Sequence, residues 1–289
     1  MSVKVDPRVT PARPDLAAAE LKEVVSADRY ADPVRYTCTV ASAAIRRAPG
    51  DTAPMDDQLL FGQAMDVYEI SNGWAWGQAR ADNYVGYVRA DQISDFAQAP
   101  THRVSALRAI AFSEPDLKSP PLGLYSMNCR IVAQSREGRY VGGAGAGWIF
   151  EGHLAPLNGP RPSDHAAVAE RFLGAPYLWG GKESLGLDCS GLVQMALTAC
   201  GHACPRDSDQ QEASLGAPVE FDAALSGLQR GDLVFWKGHV GIMLDPDLLI
   251  HANAHHMETA VEPLAEAQDR IASRPRGGPI TSIRRLQGR

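Results

Sequence analysis

The sequence predicts an α+β chain: small all-β units first, then a mixed domain in which helices precede strands. Three observations predict it. Residues 36–97 carry short alternating apolar and polar strands broken by turn signals. Residues 100–157 repeat that arrangement in diverged form. After Asn158-Gly159-Pro160-Arg161-Pro162, which reads as a domain boundary, helical spacing appears before strand alternation. The 289 residues suffice for two or three domains with cores of their own. With 45% hydrophobic and 21% charged residues the composition is that of a soluble protein, and no apolar run reaches the ~18–20 residues of a membrane-spanning helix. A net charge of −6 argues against nucleic acid or an anionic membrane as the main partner.

The elements follow in order. Residues 1–35 are expected to form an N-terminal arm with one short helix over Leu16 to Val25. The polar, proline-containing start has no apolar signal-peptide core, so a cytoplasmic location is expected. The first β unit, 36–98, holds strands at Tyr36–Val40, Met65–Ile70 and Trp74–Ala79, with Ser71-Asn72-Gly73 as a hairpin turn and Tyr84–Val88 closing the unit. In the second, 99–158, Cys129–Gln134 answers the Met65–Ile70 strand and Gly147-Trp148-Ile149 answers Gly86-Tyr87-Val88. The last domain, 159–289, opens with Ser163-Asp164 as a plausible cap of a helix reaching about Leu173. Strands are expected at Asp232–Trp236, Val240–Leu244, Leu248–His251 and Ile280–Arg284.

One stretch carries chemistry. Cys189 begins a run in which Leu192, Val193, Ala196 and Ala199 recur at helical spacing until Gly201 stops it. A helix N-terminus favours thiolate over thiol. His239 lies in an alternating segment that reads as a strand, and a thiol on a helix tip facing an imidazole on a strand suits acyl transfer. The five cysteines form an odd set without repeated spacing, a poor disulfide framework that fits reduced thiols. Cys200-Gly201-His202-Ala203-Cys204 reads as a helix-ending loop rather than zinc ligands, since it has no matching second half.

These residues resemble the NlpC/P60 family of cysteine peptidases. The resemblance rests on five blocks in the family's order: Gly174-Ala175-Pro176-Tyr177-Leu178-Trp179-Gly180-Gly181, Asp188-Cys189-Ser190-Gly191, Gly231-Asp232-Leu233-Val234-Phe235, His239-Val240-Gly241-Ile242 and Leu249-Ile250-His251-Ala252. It implies a papain-like catalytic domain, and the two β units resemble bacterial SH3-like barrels. Cys189 would be the nucleophile, His239 the base, and His251 the residue that orients His239, with Asn253 as the alternative. Neither metal nor organic cofactor is implied.

Relatives with two SH3-like domains, used in cell-wall recycling, cut murein stem peptides between γ-D-glutamate and the diamino acid and recognise a free N-terminal L-alanine. By that resemblance Asp207 would bind the ammonium, with Asp188 and Ser190 adding acceptors. A solvated loop is the alternative for Arg206–Asp209. Tyr177 would supply an oxyanion donor or merely pack. A tyrosine of the first barrel would wall off the cleft: Tyr84 is the candidate, with Tyr68 and Tyr87 as alternatives. The expected partner is a soluble muropeptide, with no nucleic acid and no membrane insertion. Competing readings are an exported general murein hydrolase with wall-binding barrels, an acyltransferase or amidase on the same scaffold, and a binding protein with a degenerate domain.

Overall fold

In the computed structural model, which describes residues 5–95, 98–222, 225–275 and 277–286, the chain forms two compact units, Met1–Gly159 and Pro160–Arg289. The hairpin signal of the first unit forms as a two-residue turn. Asn72 and Gly73 take φ of 51° and 79°, the doubly left-handed conformation that Asn and Gly adopt at least cost. The turn joins strands Ala64–Ser71 and Trp74–Ala79 in the register Ser71↔Trp74. Both belong to a seven-stranded antiparallel sheet. This sheet also contains a hairpin absent from the sequence expectation, Ser42–Arg46 with Met55–Leu60.

Alternate side chains of these strands, among them Ile45, Leu59, Met65, Val67 and Val88, close a core. Tyr84 is part of that core and only 5% exposed. Tyr68 stacks on Trp76 at 5.6 Å, and the Tyr87 hydroxyl accepts a hydrogen bond from Arg13 at 3.0 Å.

The expected helix of the arm does not form. Ala17–Ala18 pairs in parallel with Tyr30–Ala31, followed by a single 3-10 turn at Ala19–Leu21. The backbone donors of Ala17 and Ala18 go to Arg29 and Pro11 at 3.0 and 2.9 Å, so they are lost to a helix. Met1–Lys4 lie outside the described residues. Residues 102–156 form two smaller antiparallel sheets of three and five strands. They meet the first sheet where the Arg130 N–H donates to the Phe61 carbonyl at 2.8 Å. Only glycine fits at position 62 there, because a Cβ would lie 2.0 Å from the Arg130 carbonyl oxygen.

The second unit is built on a six-stranded antiparallel sheet. Its strands in spatial order are Ala217–Pro218, Ser282–Arg285, Leu233–Trp236, His239–Met243, Leu248–Asn253 and Glu258–Pro263. Helix α1 (His165–Glu170) is capped by Asp164, whose side chain accepts from the Ala167 N–H. Helix α2 (Cys189–Cys200) packs on α1 and on the His239–Met243 and Leu248–Asn253 strands. Every residue of α2 but Thr198 is buried, so it is a core helix rather than a surface one. Gly201 at φ 89° ends it, with the His202 N–H returning to the Leu197 carbonyl at 2.9 Å. Helices α3 (Ser208–Ser214) and α4 (Leu264–Ala272) complete the unit. Trp236, Met243 and Leu249 pack with Leu264 and Ala267 of α4.

Candidate active site

Strand pairing assembles the site. Trp236 pairs with His239, Leu249 with Glu262, and His251 with Ala260. Alternation therefore puts His251 and Glu262 on one face as diagonal neighbours, within reach of long side chains. His239 Nε2 lies 2.8 Å from His251 Nδ1, and His251 Nε2 lies 2.6 Å from Glu262 Oε1. Arg270 of α4 grips both Glu262 oxygens with its two terminal nitrogens. His239 and His251 are thus joined by a hydrogen bond. Asn253 does other work: its Oδ1 accepts from the backbone of His255 and His256 and so shapes the turn into the next strand.

Cys189 stands at the first position of α2 and is 8% exposed. The backbone at Val240, the residue after His239, and at Ser190 both act to lower the pKa of its thiol. Helix α2, which opens at Cys189, packs against the strand that carries His239. Among the described residues no acceptor is paired with the Cys189 backbone N–H, which leaves it available to an oxyanion.

Electrostatics here depart from the sequence expectation of a depressed thiol. Burial pushes the Cys189 thiol up to about 12, and the neighbouring Asp188 carboxylate adds to the effect. Burial likewise pushes half-buried His239 down to about 3, with His251 next in effect. His251, fully buried, is lowered by burial although Glu262 opposes it. For Glu262 burial works upward, but the bonds from His251 and Arg270 outweigh it and hold the carboxyl well below its usual range. Both shifts favour the neutral thiol and the neutral imidazole.

Asp188 and Ser190, expected to bind substrate, are committed inside the protein. The Asp188 carboxylate accepts from the backbone N–H groups of Gly180 and Gly191, both at 2.8 Å, and from Arg206 Nη1 and Nη2 at 2.9 and 2.7 Å. Ser190 Oγ accepts from Arg206 Nη1 at 2.9 Å and donates to Asp188 at 3.3 Å. The correction has a simple cause: a buried cap needs its acceptors for orphan helix donors, and buried Arg206 balances its charge. Gly191 is small for a related reason, since a Cβ there would sit 2.2 Å from the Gly181 carbonyl oxygen.

The same arginine fixes the next segment. Asp207 directly follows it, half-buried at the N-terminus of α3, and its side chain does not cap that helix. Buried Gln211 donates to the Ser190 and Pro205 carbonyls, both at 2.9 Å, and ties α3 to α2. Tyr177 is near enough that charges on Cys189 and Asp188 add to the rise burial causes in its pKa.

Sequence reasoning missed Glu262, Arg270 and Gln211. An acidic residue inside the apolar run Thr259-Ala260-Val261 was the one signal that could have marked Glu262. His251, His256 and Glu262 bring one donor atom each within 4.8 Å of one another, a spacing open to a metal ion. The guanidinium on both Glu262 oxygens would oppose a cation there.

Comparison with known proteins matches this geometry. Residues 174–271 match the NlpC/P60 family, and residues 45–93 match the bacterial dipeptidyl-peptidase Sh3 domain. The chain is 26% identical over 237 residues to dipeptidyl-peptidase 6 of Lysinibacillus sphaericus, covering 74% of this chain and 86% of that protein. It is 25% identical over 241 residues to the γ-D-glutamyl-L-lysine dipeptidyl-peptidase of Bacillus cereus, covering 73% of this chain and 71% of the other. A solved NlpC/P60 family protein from Bacillus cereus superposes with a TM-score of 0.72 at 21% identity, covering 87% of this chain and 99% of that one, which shows the shared fold. Residues 174–271 of the second unit are accordingly an NlpC/P60 domain, the catalytic domain of a cysteine peptidase, with an SH3-type match ahead of it.

Proposed function

We propose that the chain hydrolyses the bond between γ-D-glutamate and the diamino acid of murein stem peptides that carry a free N-terminal L-alanine. Cys189 Sγ attacks the γ-glutamyl carbonyl while its proton passes to His239. The oxyanion is met by the Cys189 backbone N–H, with the Tyr177 hydroxyl as the second donor. His239 then protonates the departing amine of the diamino acid, and a water activated by His239 releases L-Ala-D-Glu from the acyl-enzyme.

What supports the specificity is the position of Asp207 in the chain, directly after Arg206. Arg206 is bound to Asp188, the cap of the nucleophile's helix, and this ties the segment that carries Asp207 to that helix. A half-buried carboxylate there favours a free ammonium over an acylated nitrogen. The names of two relatives, dipeptidyl-peptidase 6 and γ-D-glutamyl-L-lysine dipeptidyl-peptidase, agree with such a substrate. A free amine is found on soluble fragments rather than on murein still joined to its glycan. We therefore assign the enzyme to peptide recycling in the cytoplasm, where its five free cysteines suit a reducing milieu.

Product analysis by mass spectrometry tests this with L-Ala-γ-D-Glu-diaminopimelate, its lysine counterpart and an N-acetylated twin of each, with Cys189→Ala as control. L-Ala-D-Glu should be released from the free-amine peptides only, and Asp207→Asn should raise KM for them. Equal cleavage of the acetylated twins would sink the ammonium assignment and leave a general murein hydrolase.

A further inference from the structure

We infer that Glu262, clamped by Arg270, is a positioning residue that sets the tautomer of both histidines, making the working set a four-membered relay from Cys189 through His239 and His251 to Glu262. The inference deepens the cysteine-peptidase reading and rests on it.

The argument is one of proton bookkeeping along two hydrogen bonds. An ionised carboxylate only accepts. The 2.6 Å contact therefore requires a proton on His251 Nε2. A fully buried, neutral His251 then has a bare Nδ1. That nitrogen, 2.8 Å from His239 Nε2, can only accept, so His239 carries its proton on Nε2. The consequence is an unprotonated Nδ1 on His239, the nitrogen left to take the thiol proton. Arg270 keeps Glu262 ionised, and with it the direction of every bond in the series. Because Arg270 already neutralises that carboxylate, its contribution is orientation more than charge.

Glu262→Gln should free the relay from its single direction. Arg270 bonds both oxygens, so either amide orientation sets an N–H₂ against one of its nitrogens; with the N–H₂ at the Oε1 position it also faces His251 Nε2 and drives the proton to Nδ1. His239 Nε2 then accepts and its Nδ1 holds the proton, which leaves no base. An amide in place of the buried triad carboxylate of serine proteases costs about 10⁴-fold through the same inversion.

The test uses the full-length chain labelled with ¹⁵N-histidine. Wild-type spectra should show Nε2–H tautomers for both His239 and His251; Nδ1–H on either would overturn the inference without any variant. In Glu262→Gln the His251 proton should no longer be confined to Nε2, with an Nδ1–H signal appearing, and kcat on L-Ala-γ-D-Glu-diaminopimelate should fall by about 10²–10⁴-fold with KM little changed. Glu262→Asp, which keeps an acceptor, should recover part of the loss. In a His251→Asn background the Asn oxygen accepts from His239 whatever stands at position 262, so adding Glu262→Gln should cost less than about threefold, within the additivity expected of uncoupled sites. Equal losses in both backgrounds would mean a merely structural role and overturn the inference. The spectra need no substrate, so failure of the proposed peptide specificity would be seen separately.

Discussion

At the scale of single residues, the decisive feature is a nucleophile kept neutral. A helix N-terminus contributes about 0.3–1 kcal/mol toward a thiolate. At Cys189 burial acts the other way and wins, with the Asp188 carboxylate on its side. The proton therefore leaves the sulfur as the carbonyl is attacked, not before, and the tautomer of His239 matters more than its charge. The titration direction gives a direct check. With the thiol raised to about 12, the thiolate fraction grows tenfold per pH unit throughout the neutral range. Alkylation of Cys189 by iodoacetamide, followed by peptide mapping in the absence of substrate, should rise steadily from pH 6 to pH 8. A rate already flat at pH 6 would instead reveal a standing thiolate–imidazolium pair and contradict this account.

At the scale of elements, the site is held by the joint between α2 and the segment leading to α3. Arg206 is 1% exposed and makes three bonds to Asp188 and Ser190. Removing one partner of such a pair strands the other, at a cost of about 3–5 kcal/mol. Arg206→Met should lower the urea midpoint accordingly, and Asp188→Asn added to it should restore a clear part of the loss; strict additivity would deny the coupling. This joint also shows what the sequence could disclose. The helical run from Cys189 to Gly201 and the strand around His239 were legible, because burial writes its period into apolar spacing. Asp188 carried a cap signal, an aspartate directly before a helix, yet its place beside the nucleophile suggested substrate binding. Glu262 carried one faint signal, an acidic residue closing the run Thr259-Ala260-Val261. Its position opposite Leu249 depends on a register set by the His255–Met257 turn, where Met257 takes a φ of 58° that apolar pattern does not encode. The arm misled for a related reason: helical spacing over Leu16–Val25 could not reveal that Arg29 and Pro11 take its backbone donors.

At the scale of the whole molecule, buried titratable groups confine stability to a window of pH. His165, His239 and His251 are all held below their ordinary value, with burial the largest cause in each. The unfolded chain binds protons at these sites first, so their contribution is full above about pH 6.5 and is lost as pH falls. Glu262 and Asp164, lowered by arginine partners against the effect of burial, act in the same direction nearer pH 4. Cys38, Cys189 and Cys200 are raised by burial, so their contribution is present at low pH and fades once unfolded thiols ionise above about pH 8.5. The result is a plateau between roughly pH 6.5 and 8.5 with a fall on either side. The three lowered histidines all belong to the Pro160–Arg289 unit, which localises the first acid loss. Calorimetry of the intact chain should therefore show that, between pH 7 and pH 5.5, the transition of the catalytic unit moves to lower temperature while that of the β-rich unit stays near its place. Cys189 accessibility to alkylation during heating identifies which transition is which. If both transitions shift together, the acid sensitivity is not a property of the histidine relay, and the neutral, buried state assigned to His239 and His251 would be wrong.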